Sequence, residues 1–335
     1  MTFELISDYV LSGSQSFLLA QGINAMRHLS EVGKMIEDKS SLSKAQYIHP
    51  WIMILVASPL SIIPWRTAGI DEPLWVPLLN GGILLILCIS TFVYTPLKLH
   101  RRFAVIINIL FFMGFGGGWT FGLIPYIRST ATWTAWETTA PTALYELSLH
   151  GLRLTPALVI LVFLLASGRK RDYFFLRKGD SSALFEPSKI LTTKTPTSWL
   201  KMALIFSAVF VAVVSILLLG QAKLSTLTID WFLVPVAIIV AAMNGFNEEF
   251  SLRAAPLGEL EPEMGKSDSL IATATYFGLG HYFGVPSGIL GVILSGFLGW
   301  FLGKSMLETK GLFTAWLVHF LTDIPIFLFF IAISF

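Results

Sequence analysis

The chain has 335 residues, of which 54% are hydrophobic and only 13% charged, and its mean hydropathy is +0.72. One soluble core cannot hide that much apolar surface, so a bilayer must cover the excess. A net charge of +2 with no basic stripe among aromatics argues against a nucleic-acid partner. The single cysteine, Cys88, rules out an internal disulfide framework or thiolate metal site and reads as a small packing residue.

The first 50 residues lack a charged region followed by an apolar run and a small-residue cleavage site, so no signal peptide is expected. Residues 3–19 suit an interfacial helix or a disordered tail. Membrane spans are predicted at 51–65, 75–94, 103–126, 154–167 and 202–219, then at 231–257, 270–283, 288–302 and 312–335. The fold class is therefore all-α, a polytopic membrane bundle of roughly eight or nine helices. Trp51, Trp65, Trp75, Trp199 and Trp231 stand at span ends, where amphipathic rings favour the interface.

Lys98, Arg101 and Arg102 fill one short connection, and Arg169, Lys170, Arg171, Arg177 and Lys178 fill another two spans later. The positive-inside rule puts both in the cytosol, together with the N-terminus, and residues 129–151 on the other side. The stretch 168–199 is polar and rich in Lys, Ser, Thr and Pro. It divides the chain into an N-terminal segment (1–50), a four-span bundle (51–167), a cytosolic linker (168–199) and a second bundle (200–335).

Glycine patterns read as packing devices. Gly114-Phe-Gly-Gly-Gly118 has neither the preceding strand nor the following Lys-Ser/Thr of a phosphate loop. Small residues there, and at Ser295, Gly299 and Gly303, let helices approach closely in lipid. Gly284-Val-Pro286-Ser-Gly288 reads as a tight turn.

Ionisable groups inside lipid are expensive, and three of the C-terminal segments carry them. Adjacent residues of a helix point about 100° apart, so Glu248 and Glu249 cannot share a face and need different jobs. Glu249 lies four residues before Arg253, the favourable orientation for a helical ion pair. Asn244, Glu248 and Ser251 fall on one polar stripe able to hold a water. Catalysis is thus assigned to Glu248, and scaffolding to Glu249 and Arg253. Phe277 stands one turn before His281 and braces its imidazole, while His319 stands one turn before Asp323, whose carboxyl group fixes its tautomer or joins it on a substrate oxygen. His28, His49, His100 and His150 lie at span ends or in polar segments, where solvated or interfacial roles are expected. Counted at 1.5 Å per residue from ends near positions 257, 270 and 312, Glu248, His281 and His319 lie about 10–17 Å below the cytosolic surface.

Glu248-Glu249-x-x-x-Arg253, Phe277-x-x-x-His281 and His319-x-x-x-Asp323, in that order on successive apolar segments, resemble the motifs of the CAAX-protease and bacteriocin-processing (CPBP, or Abi) family of intramembrane glutamic endopeptidases. The resemblance covers about residues 202–335. It implies that Glu248 is the general base that activates water, that His281 helps hold that water, and that His319 with Asp323 steadies the oxyanion. It also implies a hydrolase that needs no cofactor, whose substrate is a peptide or lipid-anchored protein met near the cytosolic face; composition alone suggests the cell (inner) membrane. Many relatives carry Asn where this chain has Asp323, and an ionised carboxylate would repel an oxyanion, so Asp323 is expected to orient His319 instead. Three alternatives stay open: a zinc-dependent version of the same protease, though His-Glu-x-x-His is absent; a non-catalytic scaffold or immunity protein; and a proton-coupled transporter.

Overall fold

Apolar runs punctuated by glycine and proline fold into helices throughout residues 44–220 and 228–334, the parts described by the computed structural model. Ile48–Phe335 is one compact unit, and the expectations for 3–19 and His28 lie outside the described residues.

Helix α1 (Lys44–Ala57) leads through a 3₁₀ turn to the short α2 (Ile63–Thr67), and α3 (Trp75–Val93) follows. Helix α4 (Arg101–Met113) ends at Gly114, which takes the left-handed conformation (φ 72°) that favours glycine. The span expected at 103–126 is therefore broken. Gly114, Gly116 and Gly118 all have positive φ and form a loop, not a helix-packing stripe, before α5 (Leu123–Arg128). Next come α6 (Ala131–Thr139), α7 (Thr142–Arg153) and α8 (Thr155–Ala166). Leu154 keeps helical angles between the last two, so the span expected at 154–167 extends back to Thr142.

Helix α9 (Trp199–Leu219) starts at Ser198, whose hydroxyl accepts from Lys201 N. Helix α10 (Val234–Glu248) runs into a π-helical turn (Glu249–Ala254) and on into α11 (Ala255–Gly280). Non-helical angles at Gly265 (φ 77°, ψ 166°), three residues after Pro262, divide α11 in two. A 3₁₀ turn (His281–Phe283) leads to α12 (Gly288–Thr309) and α13 (Phe313–Phe327), which ends in a second π turn (Leu328–Ala332). Two-residue strands β1 (Thr228–Ile229) and β2 (Ile333–Ser334) pair antiparallel.

Among the described residues, five helical stretches are long and apolar enough to cross a membrane: Trp75–Val93, Thr142–Ala166, Trp199–Leu219, Gly288–Thr309 and Phe313–Ala332. The other expected spans are short, broken or charged. Outward-facing side chains such as Ile86, Val93, Val162 and Ile216 are exposed, as lipid-facing residues must be. Inside the bundle, missing side chains set the helix spacing. A Cβ at Gly278 would lie 2.7 Å from Val292 O, so α11 and α12 touch backbone to backbone. One at Gly245 would lie 3.3 Å from Phe320 N, and Trp316 Nε1 donates to Ala242 O (3.1 Å), which locks α13 onto α10. Trp199, expected at the interface, is fully buried, with its Nε1 donating to Glu308 (2.8 Å).

The two ends of the bundle differ. At one, Arg101 Nε donates to Thr91 O (2.9 Å) and Arg102 Nη2 to Ser167 O (3.0 Å). The polar stretch after α8 lies across this end. Arg169 makes a two-pronged ion pair with Glu259 (2.8 Å each), Asp180 N donates to Thr309 O (2.8 Å) and Leu312 N to Arg177 O (2.9 Å). At the other end, the loop 114–122 meets the end of α11 so closely that a Cβ at Gly280 would overlap Gly116 O. Trp119 Nε1 donates to Ala57 O (3.0 Å) there. Beside it, Glu72 accepts from Arg66 Nε (2.7 Å) and from the Thr120 amide (3.2 Å). Burial of the Glu72 carboxyl group opposes its ionisation, but these hydrogen bonds outweigh that and hold its pKa at about 2.

Candidate active site

The π turn gives the two adjacent glutamates separate surroundings. Glu248, the last residue of α10, lies on a cavity of about 770 Å³, whereas Glu249 is sealed from solvent. Arg253, one turn on and equally buried, donates Nη1–H to Glu249 Oε1. The guanidinium also lies over the Phe277 ring, 4.1 Å from its centroid. Gly299 of α12 makes room for both groups, because a Cβ there would stand 3.2 Å from Arg253 Nη2 and from Phe277 Cδ1. The close-packing reading of Gly299 thus has a specific content: it admits an arginine.

Both glutamates reach the same imidazole from opposite sides. Glu249 Oε1 lies 2.6 Å from His319 Nδ1, and Glu248 Oε2 lies 3.7 Å from His319 Nε2. Glu248 Oε2 is also 3.7 Å from His281 Nε2. At 3.7 Å these are ionic contacts beyond direct hydrogen-bond distance. The other ring nitrogen of His281 is 2.8 Å from Phe277 O, and Phe277 packs against both imidazoles with centroids 4.3 and 5.9 Å away. A backbone carbonyl can only accept, so Nδ1 of His281 carries the proton and Nε2 of the neutral ring accepts.

Asp323 stands apart from the role expected for it. The contact that fixes the ring of His319 comes from Glu249 on Nδ1, while Asp323 Oδ2 lies 3.6 Å from Nε2, on the cavity side. The reason is geometric: one turn of α13 brings Asp323 beside the outer ring nitrogen, and the inner one faces the π turn. Asp323 Oδ2 instead accepts from Asn244 Nδ2 (3.0 Å). Ser251 also departs from its expected stripe. The π turn rotates it inward, where it is buried and donates to Asn247 Oδ1 (3.3 Å). The spacing therefore brings Asn244, Glu248, His281, His319 and Asp323 onto the cavity and leaves Glu249, Arg253 and Phe277 behind them.

Arg153, at the end of α7, was not singled out from the sequence. Its Nη2 lies 3.7 Å from Glu248 Oε1 and donates to Asn244 Oδ1 (3.4 Å), while its backbone carbonyl accepts from Asn247 Nδ2 (2.6 Å). The available signal was an arginine abutting an apolar run, and Asn247 beside Glu248. The glycine loop supplies cavity wall as well, through Phe115, Gly116, Gly118 and Trp119. His49, His100 and His150 lie away from this cavity, and the solvated or interfacial roles expected of them do not hold. All three are buried, the first two stacked with ring centroids 5.7 Å apart.

With this geometry in place, one family comparison bears on the C-terminal helices, over 97 of the 335 residues. Residues 229–325 match the model described as type II CAAX prenyl endopeptidase Rce1-like. This segment is Rce1-like. It contains every residue of the three motifs, whereas Arg153 and the glycine loop lie outside it. No curated protein and no solved structure matches the chain significantly. Among the described residues, no three His, Cys, Asp or Glu side chains are arranged to hold a metal ion.

The cavity draws its wall from distant segments of the chain. None of its lining residues belongs to the basic connections. They come from the Rce1-like helices, from the glycine loop and α5, and from Arg66, Arg153, His281, Phe283 and Phe327. His281 closes the end of α11 remote from Gly265.

Proposed function

We propose that this integral membrane protein is an endopeptidase that hydrolyses a peptide bond of a membrane-associated protein or peptide, with Glu248 activating water. One observation carries the reading: Glu248 Oε2 faces His281 Nε2 and His319 Nε2 at equal distances of 3.7 Å on the cavity wall. A water seated there donates one hydrogen to Glu248 and the other to the neutral His281 Nε2. Glu248 takes the first proton as the oxygen attacks the scissile carbonyl carbon.

The oxyanion that forms accepts from His319 Nε2–H, with the ring doubly protonated and its Nδ1–H held by Glu249. Arg153 adds N–H donors on the other side of Glu248. Collapse of the tetrahedral species breaks the C–N bond, and Glu248 returns its proton to the leaving amine. Glu249, Arg253 and Phe277 are positioning residues. The Rce1-like match supports the reaction class and carries prenylated CAAX proteins as one candidate substrate class; the resemblance of the three motifs adds leader-type peptides as another.

The test compares protein termini across the proteome in cells carrying the wild-type chain or Glu248→Gln at equal membrane abundance. A small set of termini lost in the variant is expected. No loss, under conditions where deletion has a phenotype that Glu248→Gln rescues, would replace hydrolysis with a scaffold role.

A further inference from the structure

We propose that Arg153, from a helix outside the Rce1-like segment, is a positioning residue of the hydrolytic site: its guanidinium balances the neighbouring charges of Glu248 and Asp323 and orients the Asn244 amide between itself and Asp323. The proposal rests on the hydrolytic reading above and adds that the N-terminal helices complete the site. Its first support is charge. Three carboxylates surround His319: Glu249 lies 2.6 Å from Nδ1, while Glu248 and Asp323 lie 3.7 and 3.6 Å from Nε2. Within the matched segment, the cations in contact with them are Arg253 and a doubly protonated His319. Arg253 is committed to Glu249 on the buried side. One imidazolium then serves two carboxylates facing the cavity, and a charge left uncompensated away from water is costly. Of the other arginines on this cavity, Arg66 is paired with Glu72 and Arg128 is exposed. Arg153 supplies the missing cation, with Nη2 3.7 Å from Glu248 Oε1.

The second support is hydrogen-bond direction. A guanidinium only donates and a carboxylate only accepts, so one orientation of Asn244 serves both neighbours. Its Oδ1 accepts from Arg153 Nη2 (3.4 Å), and its Nδ2 donates to Asp323 Oδ2 (3.0 Å). Arg153 is itself held in place: its backbone carbonyl accepts from Asn247 Nδ2 (2.6 Å), and its guanidinium lies 5.9 Å from the Phe115 ring centroid. The backbone bond survives any side-chain change at 153. Replacing the side chain therefore removes the charge without detaching α7 from α10.

A double-mutant cycle between Arg153→Gln and Asp323→Asn tests this, with Arg153→Lys as the charge-preserving variant. The turnover probe is a peptide spanning a Glu248-dependent terminus. Arg153→Gln should lower kcat about 10²-fold with KM within about two-fold. Arg153→Lys should recover most of that loss. Adding Asp323→Asn to Arg153→Gln should raise kcat again by about ten-fold, because the surplus negative charge is gone. A raised KM at unchanged kcat, or single effects that simply multiply in the double variant, would overturn the proposal. If Arg153→Gln accumulates only when combined with Asp323→Asn, that is the same rescue seen at the level of folding. The cycle read by chemical denaturation in detergent needs no turnover: Asp323→Asn should offset part of the destabilisation caused by Arg153→Gln, and strict additivity would overturn the charge balance. Absence of any Glu248-dependent terminus would count against hydrolysis, and the denaturation cycle would still decide the role of Arg153 in balancing charge.

Discussion

Replacing either of two adjacent glutamates by glutamine should give opposite signatures. Glu249 and Arg253 are an ion pair with both side chains fully buried. Removing one partner of such a pair costs about 3–5 kcal/mol, because the other charge is left uncompensated. A glutamine amide keeps an acceptor oxygen for Arg253 and for His319, which places Glu249→Gln near the lower limit, about 3 kcal/mol, or a factor of about 100 in the unfolding equilibrium. Glu248 differs: its Oε2 makes no direct hydrogen bond and faces the cavity. Glu248→Gln should therefore stay within about 1 kcal/mol of wild type, the net worth of one hydrogen bond. Its turnover should fall by about 10²–10⁴-fold, the usual contribution of a general base. Chemical denaturation in detergent followed by tryptophan fluorescence reads stability, and the termini found above supply the peptide for turnover. Equal destabilisation by the two variants, or an unstable Glu248→Gln beside a stable Glu249→Gln, would refute the division of labour.

Asp323→Asn should keep activity within about ten-fold, since the amide oxygen can still accept from Asn244 and the amide nitrogen adds an N–H on the cavity side; complete loss with an intact fold, seen in the same peptide assay, would make the carboxylate itself essential. Gly299→Val inserts methyl groups where Arg253 and Phe277 already stand 3.2 Å from a Cβ, and should destabilise by about 1–3 kcal/mol in denaturation, whereas an unchanged midpoint would show that the helices can part there freely. Glu72→Gln should loosen the cavity wall at neutral pH, measured as faster amide exchange around Thr120. The folded pKa of Glu72 is depressed from 4.5 to about 2, so its contribution is complete above about 4.5 and disappears as pH falls through about 2. Wild type and variant should therefore converge over that window, and a difference that persists unchanged to the acid side would exclude the carboxylate as its source.

The sequence by itself determined the membrane setting and the three motifs. Apolar runs and intramembrane charges leave few physical options, and a spacing of four residues places Glu249 with Arg253 and Phe277 with His281 by helix geometry alone. Even the different surroundings of Glu248 and Glu249 were legible, because neighbours on a helix must point apart. Contacts between distant segments were not. That Glu249, and not Asp323, holds the inner nitrogen of His319 depends on how α13 lies against α10, which Gly245 and Trp316 set. Arg153 joins the site from a distant part of the chain, with no local pattern to announce it. The loop at Gly114 looked like a packing stripe because composition does not encode the sign of φ. The cavity is walled by side chains from segments far apart in the chain. That is a property of packed surfaces, and no periodicity along a single helix carries it.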